Sequence, residues 1–269
     1  MENKPIVDCI YNFYPVNEFY VENLRNFLNW TEGDFRQTLV SYPEGFSPWA
    51  REGVKWVMVP NLNQDFGSLS RLIHEVATQP LPDALFVANS SVMGPLMEIG
   101  DPKGRWLAEY YARLSGSVGA VGDTLNGGRW YMPHTLEFKR KFGLAASARG
   151  LQSTNLLLSW RAIEDLMSAG FFRERSALSK RELVRDFEIA MSHELRGLGF
   201  GISRVGKDKS SATLGGLITG DVHTNFFALG RKPSPQTNFF IKTNRDLYTK
   251  RVLLSFASTQ DANAAKHRG

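Results

Sequence analysis

The sequence lacks several features that would define a secreted or membrane-spanning protein. Its 269 residues contain one cysteine, Cys9, so an intrachain disulfide and a cysteine-based zinc cluster are both excluded. No stretch approaches the roughly 20 apolar residues that a transmembrane helix needs. The beginning, "MENKPIVDCIYNFYP", has no long apolar region typical of a signal peptide. We therefore expect a cytoplasmic protein without a transmembrane segment. A secreted protein without disulfides and peripheral contact with a membrane both stay open as alternatives.

The charge balance is only mildly basic. The formal net charge is +5, which fits a phosphate-bearing small ligand, an anionic membrane surface or nucleic acid about equally well. The Lys and Arg residues are scattered, however, with "KRK" at 139–141 as a short cluster, and no zinc-finger or RNA-recognition pattern is present. We expect no nucleic-acid partner.

Strand patterns alternate with helix patterns along the first half of the chain. Short runs rich in Ile, Val and Leu, such as "PIVDCIYNFYP", "VKWVMVP" and "DALFVA", alternate with amphipathic stretches. This alternation predicts an α/β fold with a mostly parallel central sheet covered by helices. In residues 127–150 the apolar residues show little regular spacing, so this stretch is predicted to be loop-rich. Ser179 and Glu182 resemble a capping box that begins a long helix.

Polar residues follow two of the predicted strands. In open α/β sheets, ligands bind outside the carboxyl ends of the strands. The same residue types also favour ordinary turns, and that interpretation stays open for each segment alone. Residues 65–68 in addition open a helix, whose first N–H groups would suit an anion. The candidate ligand-binding residues are Asn61, Asn63, Asp65 and Gly67 after one strand, and Asn89, Ser90 and Ser91 after the other.

Two further segments carry candidate chemistry. Glu188 lies among apolar neighbours in a predicted helix, so it is either a solvated helix residue or a desolvated base with a raised pKa. Lys242 and Arg245 follow the predicted strand "NFFI" and would suit a diphosphate, or they form a basic strand end. His134 and His223 are weaker candidates for contacts to a metal or a phosphate.

A set of segments resembles a known group of enzymes. In chain order they are "NQDFGSLSRLI", "DALFVANSSVMGPL", "VGAVGDTLN…MPHTLEF", "LQSTNLLLSWRAIEDLMSAGFF", "FEIAMSHELRGLGFGI" and "NFFIKTNRD". The set resembles glycosyltransferases of polysaccharide biosynthesis related to rhamnan synthesis protein F. The resemblance covers roughly residues 5–250. It implies one GT-A-like domain over residues 1–250, a nucleotide-binding α/β sandwich, followed by a partly disordered tail over 251–269.

The resemblance also implies a reaction. A nucleotide-sugar would donate a hexosyl or pentosyl group to a hydroxyl of a glycan or glycolipid acceptor. Glu188 matches the acid that serves as general base in inverting enzymes, with Asp186 as the nearest alternative. The implied donor-binding residues are Asp65, Gly67, Asn89, Ser90, Ser91, Lys242 and Arg245.

A divalent metal is a weaker implication. GT-A enzymes usually hold Mn²⁺ or Mg²⁺ with an Asp-x-Asp motif, but here the matching positions are Asn89 and Ser91, and neutral groups are poor substitutes for carboxylates. Asn89, Ser91 and His223 are the weak metal candidates. Because the acid pair is missing, a second hypothesis stays open. The chain would then be an inactive GT-A-like carbohydrate-binding or scaffold protein of a polysaccharide assembly complex.

Overall fold

The computed structural model describes residues 4–60, 64–77, 80–97, 101–126, 133–205 and 239–243. Within these ranges the strands, numbered in chain order, are β1 (Val7–Asn12), β2 (Thr38–Tyr42), β3 (Val54–Met58), β4 (Ala84–Asn89), β5 (Val92–Met93), β6 (Val118–Gly122), β7 (Leu125–Asn126), β8 (Gly150–Leu151), β9 (Asn155–Ser159), β10 (Gly201–Arg204) and β11 (Ile241–Lys242).

Helices fill most of the connections. They are α1 (Glu18–Trp30), α2 (Gln64–Val76), α3 (Arg105–Tyr111), α4 (Pro133–Phe142), α5 (Trp160–Ser168), α6 (Lys180–Leu183) and α7 (Ala190–Gly197). A six-residue π-helical segment, Val184–Ile189, joins α6 to α7. The capping box of Ser179 and Glu182 begins α6, as predicted.

One seven-stranded sheet forms the centre of the fold, in the order β10-β6-β9-β4-β1-β2-β3. Its strand pairs are parallel except at β9, which runs antiparallel to both β4 and β6. The predicted fold class, an α/β sandwich with a mostly parallel central sheet covered by helices, is confirmed. The residues of the predicted tail, 251–269, lie outside the described ranges, and the assignment of 1–250 to a single domain stays a prediction.

The central strands are buried on both faces because helices pack on each side. Successive side chains of a strand point to opposite faces. On β4, Leu85 and Val87 therefore pack with α2, α5 and α7, whereas Phe86 packs on the other face with α1 and α3. This double burial explains why "ALFVA" reads as a continuous apolar run and not as an alternating one.

One predicted loop is a helix. Residues 133–142 form α4, inside the stretch that the sequence predicts to be loop-rich. Only Thr135 and Phe138 of this helix are buried, so it has a narrow apolar face and many charged residues. Such a helix depends on its tertiary contacts, here including the rings of Phe142 and His193 beside Phe138. A pattern search for a broad apolar face therefore misses it.

The segment 239–243 crosses the carboxyl end of β4. Its strand β11 pairs antiparallel with β5, with Lys242 opposite Val92. The Phe240 amide donates to the Asp123 carboxylate over 2.7 Å, and the Thr243 amide donates to the Ser91 carbonyl over 2.9 Å. These contacts join residues that lie more than 100 positions apart in the sequence and hold Lys242 at the sheet edge.

Gly94 allows this close crossing. A Cβ atom at position 94 would lie 2.4 Å from the Phe239 carbonyl oxygen and 2.5 Å from the Phe240 ring. A backbone oxygen cannot move aside as a flexible side chain can, so only glycine fits here without displacing the segment. None of the helices in the described ranges combines the length and apolarity that spanning a bilayer requires.

We expect Gly94→Ala to lower the free energy of unfolding by about 1–3 kcal/mol, the usual cost of overpacking. Chemical denaturation of the purified chain would measure this. The control is Gly116→Ala, because a Cβ at Gly116 meets nothing within 4 Å. Equal stability of the two variants would contradict the role assigned to Gly94.

Candidate active site

The carboxyl ends of β1 and β4 lie side by side in the middle of the sheet. From β1 the chain winds outward to β2 and β3, and from β4 onward it builds the other half. In open α/β sheets, ligands bind at the point where the strand order reverses in this way. Asn12 at the end of β1 pairs with Asn89 at the end of β4. This edge is where the topology predicts a ligand.

The polar residues after β4 form a closed turn. The amide oxygen of Asn89 accepts hydrogen bonds from the Ser91 backbone N–H at 3.0 Å and from the Ser91 hydroxyl at 2.6 Å. Such a bond to the backbone two residues ahead is the mark of an Asx turn. Ser90 is buried, and its carbonyl accepts a bond from Asn23 at 2.9 Å. The side-chain oxygen of Asn89 and the carbonyl of Ser90 therefore serve the turn, as the turn interpretation predicts. The side-chain nitrogen of Asn89 takes no part in the turn and contacts another element.

That nitrogen connects the turn to the first turn of α2. It donates a hydrogen bond to the Asp65 carboxylate over 2.7 Å. Asp65 is half-buried, and its pKa is raised to about 7. Burial is the main cause and the nearby Glu188 carboxylate adds to it, whereas the hydrogen bond from Asn89 and the charge of Lys242 act in the opposite sense. At neutral pH, Asp65 is therefore present in both protonation states. Carboxyls with strongly perturbed pKa values are found often at functional sites.

Glu188 lies close enough to Asp65 for the two charges to interact. It is half-buried in the π-helical segment, and such segments occur often at functional sites. Burial raises its pKa, while the charge of Lys242 and a hydrogen bond with the Ser153 side chain partly offset the increase. Of the two interpretations that the sequence left open, the structure agrees with the desolvated carboxyl.

The backbone around Glu188 is held by a contact with β8. The Ser192 hydroxyl accepts a hydrogen bond from the Leu151 N–H over 3.0 Å, and both residues are buried. A Cβ atom at Gly150 would lie 3.1 Å from the Ser192 hydroxyl and 3.6 Å from the Glu188 carbonyl oxygen. Gly150 thus lets β8 approach the helical segment at the level of the Glu188 backbone.

Lys242 is the cation shared by both carboxyls. Its charge lowers the pKa of Asp65 and of Glu188, which shows that it lies near each of them. Two other basic residues act on Glu188, namely His134 at the start of α4 and Lys180 at the start of α6. The Nδ1 atom of His134 is buried and has no hydrogen-bond partner among the described residues.

Asp186, the alternative to Glu188, is engaged in ion pairs. Arg185 approaches its two carboxylate oxygens at 2.6 and 2.7 Å, and Lys141 lies 3.0 Å away. Although burial acts to raise the pKa of Asp186, the hydrogen bonds from these two cations outweigh it and the pKa is lowered. A carboxylate so stabilised is a weak base, which leaves Glu188 as the stronger candidate.

The structure brings four of the predicted site residues together: Asp65, Asn89, Glu188 and Lys242. Gly67 instead lines a neighbouring cleft on the side of α2, together with Phe66 and Phe187. Arg245, His223, Asn61 and Asn63 lie outside the described residues.

Sequence reasoning did not single out Ser153 or Tyr14. Ser153 hydrogen-bonds to Glu188 from the loop before β9, and the Tyr14 hydroxyl pairs with the buried Ser68 hydroxyl at 2.7 Å. Ser153 and Tyr14 are single polar residues in loops without a spacing pattern, so nothing local marks them.

Asn89 and Ser91, the two predicted metal positions that lie in the described ranges, do not suit a divalent metal. Mg²⁺ and Mn²⁺ prefer carboxylate oxygens. The one side-chain oxygen of Asn89 already accepts two hydrogen bonds from Ser91. In the ranges that the structure describes, no three His, Cys, Asp or Glu side chains form a group that could hold a metal.

Searches of known protein families and of curated proteins return no match for the chain. Among solved structures, the chain is similar to glucosyl-3-phosphoglycerate synthase from Mycobacterium tuberculosis in complex with Mn²⁺, UDP and phosphoglyceric acid, with 11% identity and a TM-score of 0.48 over 95% of this chain and 78% of that one.

Two further solved structures are similar to the chain with equally low identity and TM-score. The galactosyltransferase LgtC, in complex with donor and acceptor sugar analogues, has 12% identity and a TM-score of 0.48 over 95% of this chain and 96% of its own. The 2-C-methyl-D-erythritol 4-phosphate cytidylyltransferase from Thermus thermophilus has 11% identity and a TM-score of 0.47 over 96% of this chain and 100% of its own. Identities and scores this low assign neither a family nor an activity, and none of these likenesses supports the narrower resemblance to rhamnan synthesis protein F.

The raised pKa of Asp65 predicts a pH-dependent difference in stability. Between the pKa of an unfolded Asp, about 4, and its folded value of about 7, the folded state keeps a proton that the unfolded chain has released. Rising pH in this window therefore costs stability. Asp65→Asn carries no such proton, so its stability relative to the original chain should increase as the pH rises from about 4 to about 7 and then level off.

Urea unfolding from about pH 4 to about pH 8 measures this difference. The matched control is Asp165→Asn, another half-buried aspartate on a helix, α5, outside this cluster. A constant stability gap between Asp65→Asn and the original chain across the pH range would show that the assigned pKa is wrong.

Proposed function

We propose that the protein transfers a sugar from a nucleotide-sugar donor to a hydroxyl of an acceptor, with inversion at the anomeric carbon. One observation carries the proposal. Two carboxyls with raised pKa values, Asp65 and Glu188, and one cation, Lys242, come from three distant parts of the chain and meet at the sheet edge where ligands bind. A base, a second acid and a cation are the groups that such a transfer uses.

Glu188 is the proposed general base. Its raised pKa makes it a better proton acceptor near neutral pH than an exposed glutamate is. Glu188 takes the proton of the acceptor hydroxyl as the acceptor oxygen forms a bond to the anomeric carbon. The bond from that carbon to the diphosphate oxygen breaks on the opposite face, and the bonding electrons leave with the nucleoside diphosphate.

Lys242 is the proposed partner of the leaving diphosphate. A fixed cation placed where negative charge develops stabilises the transition state. Lys242 is supported for this role by its closeness to both carboxyls and by the pairing of β11 with β5, which restrains it. Arg245 is proposed to assist it. Because Asn89 and Ser91 do not suit a divalent metal, no step in this mechanism involves one.

Asp65, Gly67, Asn89, Ser90 and Ser91 are proposed to position the donor. Asp65 is the most direct candidate, because its protonated form can donate a hydrogen bond and reduces the repulsion of an anionic donor. The closed turn of Asn89 and Ser91 acts through Asp65, since the Asn89 amide orients that carboxyl. A glycan or glycolipid acceptor, a role in polysaccharide biosynthesis and a cytoplasmic place with peripheral membrane contact belong to the same proposal.

The alternative of an inactive carbohydrate-binding or scaffold protein has weaker support. Burying two carboxyls beside each other is unfavourable. Binding a glycan without catalysis does not require two carboxyls with raised pKa values. The test below separates the two hypotheses, because an inactive module would show a thermal shift with glycan and no turnover of any sugar nucleotide.

We expect Glu188→Gln to keep the fold and the binding of the sugar nucleotide but to lower the rate of transfer by about 10²–10⁴-fold, the usual contribution of a general base. A thermal-shift screen of UDP-, GDP- and dTDP-sugars would first identify the donor. Release of the nucleoside diphosphate, with and without acceptor glycans, would then measure turnover.

The matched control is Glu194→Gln, a half-buried glutamate on α7, one helix segment further along the chain. Unchanged turnover in Glu188→Gln would reject Glu188 as the base. Release of pyrophosphate from a nucleoside triphosphate, in place of turnover of sugar nucleotides, would contradict glycosyl transfer as the reaction.

A second experiment concerns the cation. We expect Lys242→Met to lower turnover by about 10²–10³-fold, as for other groups that stabilise developing charge. We expect a chelator such as EDTA to leave turnover of the original chain unchanged, because Lys242 is the cation proposed to stabilise the leaving diphosphate. Loss of turnover in EDTA, restored by Mn²⁺, would show that the charge on the diphosphate is carried by a metal.

A further inference from the structure

The "KRK" cluster at 139–141 lies at the end of α4, and the proposed reaction does not use it. The stretch around it, "FKRKFGLAASARG" at 138–150, contains four basic residues and no Asp or Glu. Lys139 and Arg140 lie in the last turn of α4, and the loop that follows the helix runs to Arg149. This stretch therefore concentrates positive charge that the carboxyl cluster does not explain.

The stretch packs against α7. The rings of Phe142 and His193 lie 5.4 Å apart between their centroids. One helical turn further along α7, the Arg196 guanidinium donates a hydrogen bond to the Arg149 carbonyl over 2.7 Å. The end of α4, the loop after it and the second half of α7 therefore form one continuous surface.

The arginines of this surface lie close to one another without carboxylate partners. Arg140 and Arg149 are exposed, and their side chains form no hydrogen bond or ion pair in the described part of the chain. Arg196 is half-buried, and burial and the nearby charge of Arg149 lower its pKa. Positive charges placed together in this way favour an anionic partner.

The carboxylates near the surface are engaged or turned away. Asp186 lies 3.0 Å from Lys141, and Glu137 lies 3.6 Å from Arg181. Glu194 precedes the arginine of α7 by two residues, and helix residues with this spacing do not face each other. The positive charge of the surface is therefore not neutralised from α4, from α7 or from the π-helical segment between them.

Two exposed leucines accompany the cations. Leu144 is 81% exposed, and its carbonyl accepts a hydrogen bond from the Lys139 ammonium over 2.8 Å. Leu136 is 39% exposed and lies four residues before Arg140, so the two share one face of α4. An exposed leucine alone is ordinary, but leucines beside cations are the combination that binds the interface of an anionic bilayer. We call these six residues the basic surface: Leu136, Lys139, Arg140, Leu144, Arg149 and Arg196.

The basic surface lies near the proposed base. Arg196 follows Glu188 by eight residues, which corresponds to about 12 Å along a helix axis. A bilayer against this surface would therefore lie close to Glu188. The hydroxyl of a glycolipid acceptor lies at the same level, just outside the headgroups.

We propose that the basic surface docks the protein on an anionic membrane, with Leu144 entering the boundary between the headgroups and the acyl chains. The proposal rests on the proposed function for the membrane contact named there, whereas docking itself does not depend on sugar transfer. An acidic polymer would also contact the arginines, but it would leave Leu144 and Leu136 in water. The exposed leucines therefore favour a membrane as the partner.

Sedimentation of the full chain with phosphatidylcholine vesicles, with and without phosphatidylglycerol and without any sugar nucleotide, tests the docking. We expect binding only to the vesicles that contain phosphatidylglycerol, and we expect added salt to weaken it. The Arg140→Gln/Arg149→Gln double variant should bind at least about tenfold more weakly, because each cation near an anionic surface adds to the attraction. Both side chains are exposed, so the fold should persist, and circular dichroism would verify it.

The matched control is Arg25→Gln/Lys103→Gln. It removes two exposed positive charges from α1 and from the turn before α3, which pack on the opposite face of the sheet from α4 and α7. Equal weakening in both double variants would mean general attraction of anions and would overturn the proposal. Absence of binding of the original chain to the phosphatidylglycerol vesicles would overturn it too.

Leu144→Asn tests the apolar part of the contact. We expect it to bind the phosphatidylglycerol vesicles at least about threefold more weakly, because a leucine side chain is no longer transferred out of water. The control is Val16→Asn, since Val16 is 74% exposed and lies before α1. Equal affinity of these two variants would contradict the entry of Leu144 and overturn the proposal.

Heparin distinguishes a membrane from an acidic polymer. Binding to heparin that is lost in the arginine double variant, together with no binding to vesicles, would identify an acidic polymer as the partner and overturn the proposal. None of these measurements involves turnover of a sugar nucleotide, so docking and the proposed reaction can fail separately.

Discussion

Two half-buried carboxyls, Asp65 and Glu188, share one nearby cation, Lys242, and the site depends on this charge arrangement. Removal from water raises the pKa of each carboxyl, and each raises the cost of ionising the other. Lys242 makes it possible to ionise one of them near neutral pH. The protons of such a pair belong to the pair, so donor or acceptor binding will change the protonation of both.

The arrangement requires that the chain returns to the sheet edge after more than 30 residues beyond β10. The pairing of β11 with β5, the Phe240–Asp123 hydrogen bond and the absence of a side chain at Gly94 together hold Lys242 in this position. On the opposite side, the π-helical segment and the contact between Ser192 and β8 support Glu188. The cation and the base are therefore held in place by separate parts of the core.

The carboxyl cluster combines two acids with a single lysine, which suits proton transfer and a leaving diphosphate. Phe66 directly follows Asp65 in the sequence, and Phe187 directly precedes Glu188. The rings of Phe66 and Phe187 stack with 4.9 Å between their centroids, so this contact joins the two segments that carry the carboxyls.

Local patterns were sufficient for most of the elements. Apolar runs of β-branched residues predicted the strands of the central sheet, and Ser179 with Glu182 predicted the start of α6, because burial and capping act over a few neighbouring residues. Patterns failed at α4, whose buried face has only two residues, and at the π-helical segment, whose change of register has no signature in residue type. Both depend on what packs against them.

The sequence by itself determined the alternation of strands and helices, the parallel sheet and the polar residues at its strand ends, since these follow from the spacing of apolar side chains. It also marked Glu188 and Lys242 as candidates through their residue types. Only the tertiary structure decided that Glu188 lies near Asp65, that Asp186 is tied to Arg185 and Lys141, and that Asn89 orients Asp65. The reason is physical: a pKa depends on burial and on charges brought near from distant parts of the chain, and neither is a property of a local stretch of sequence.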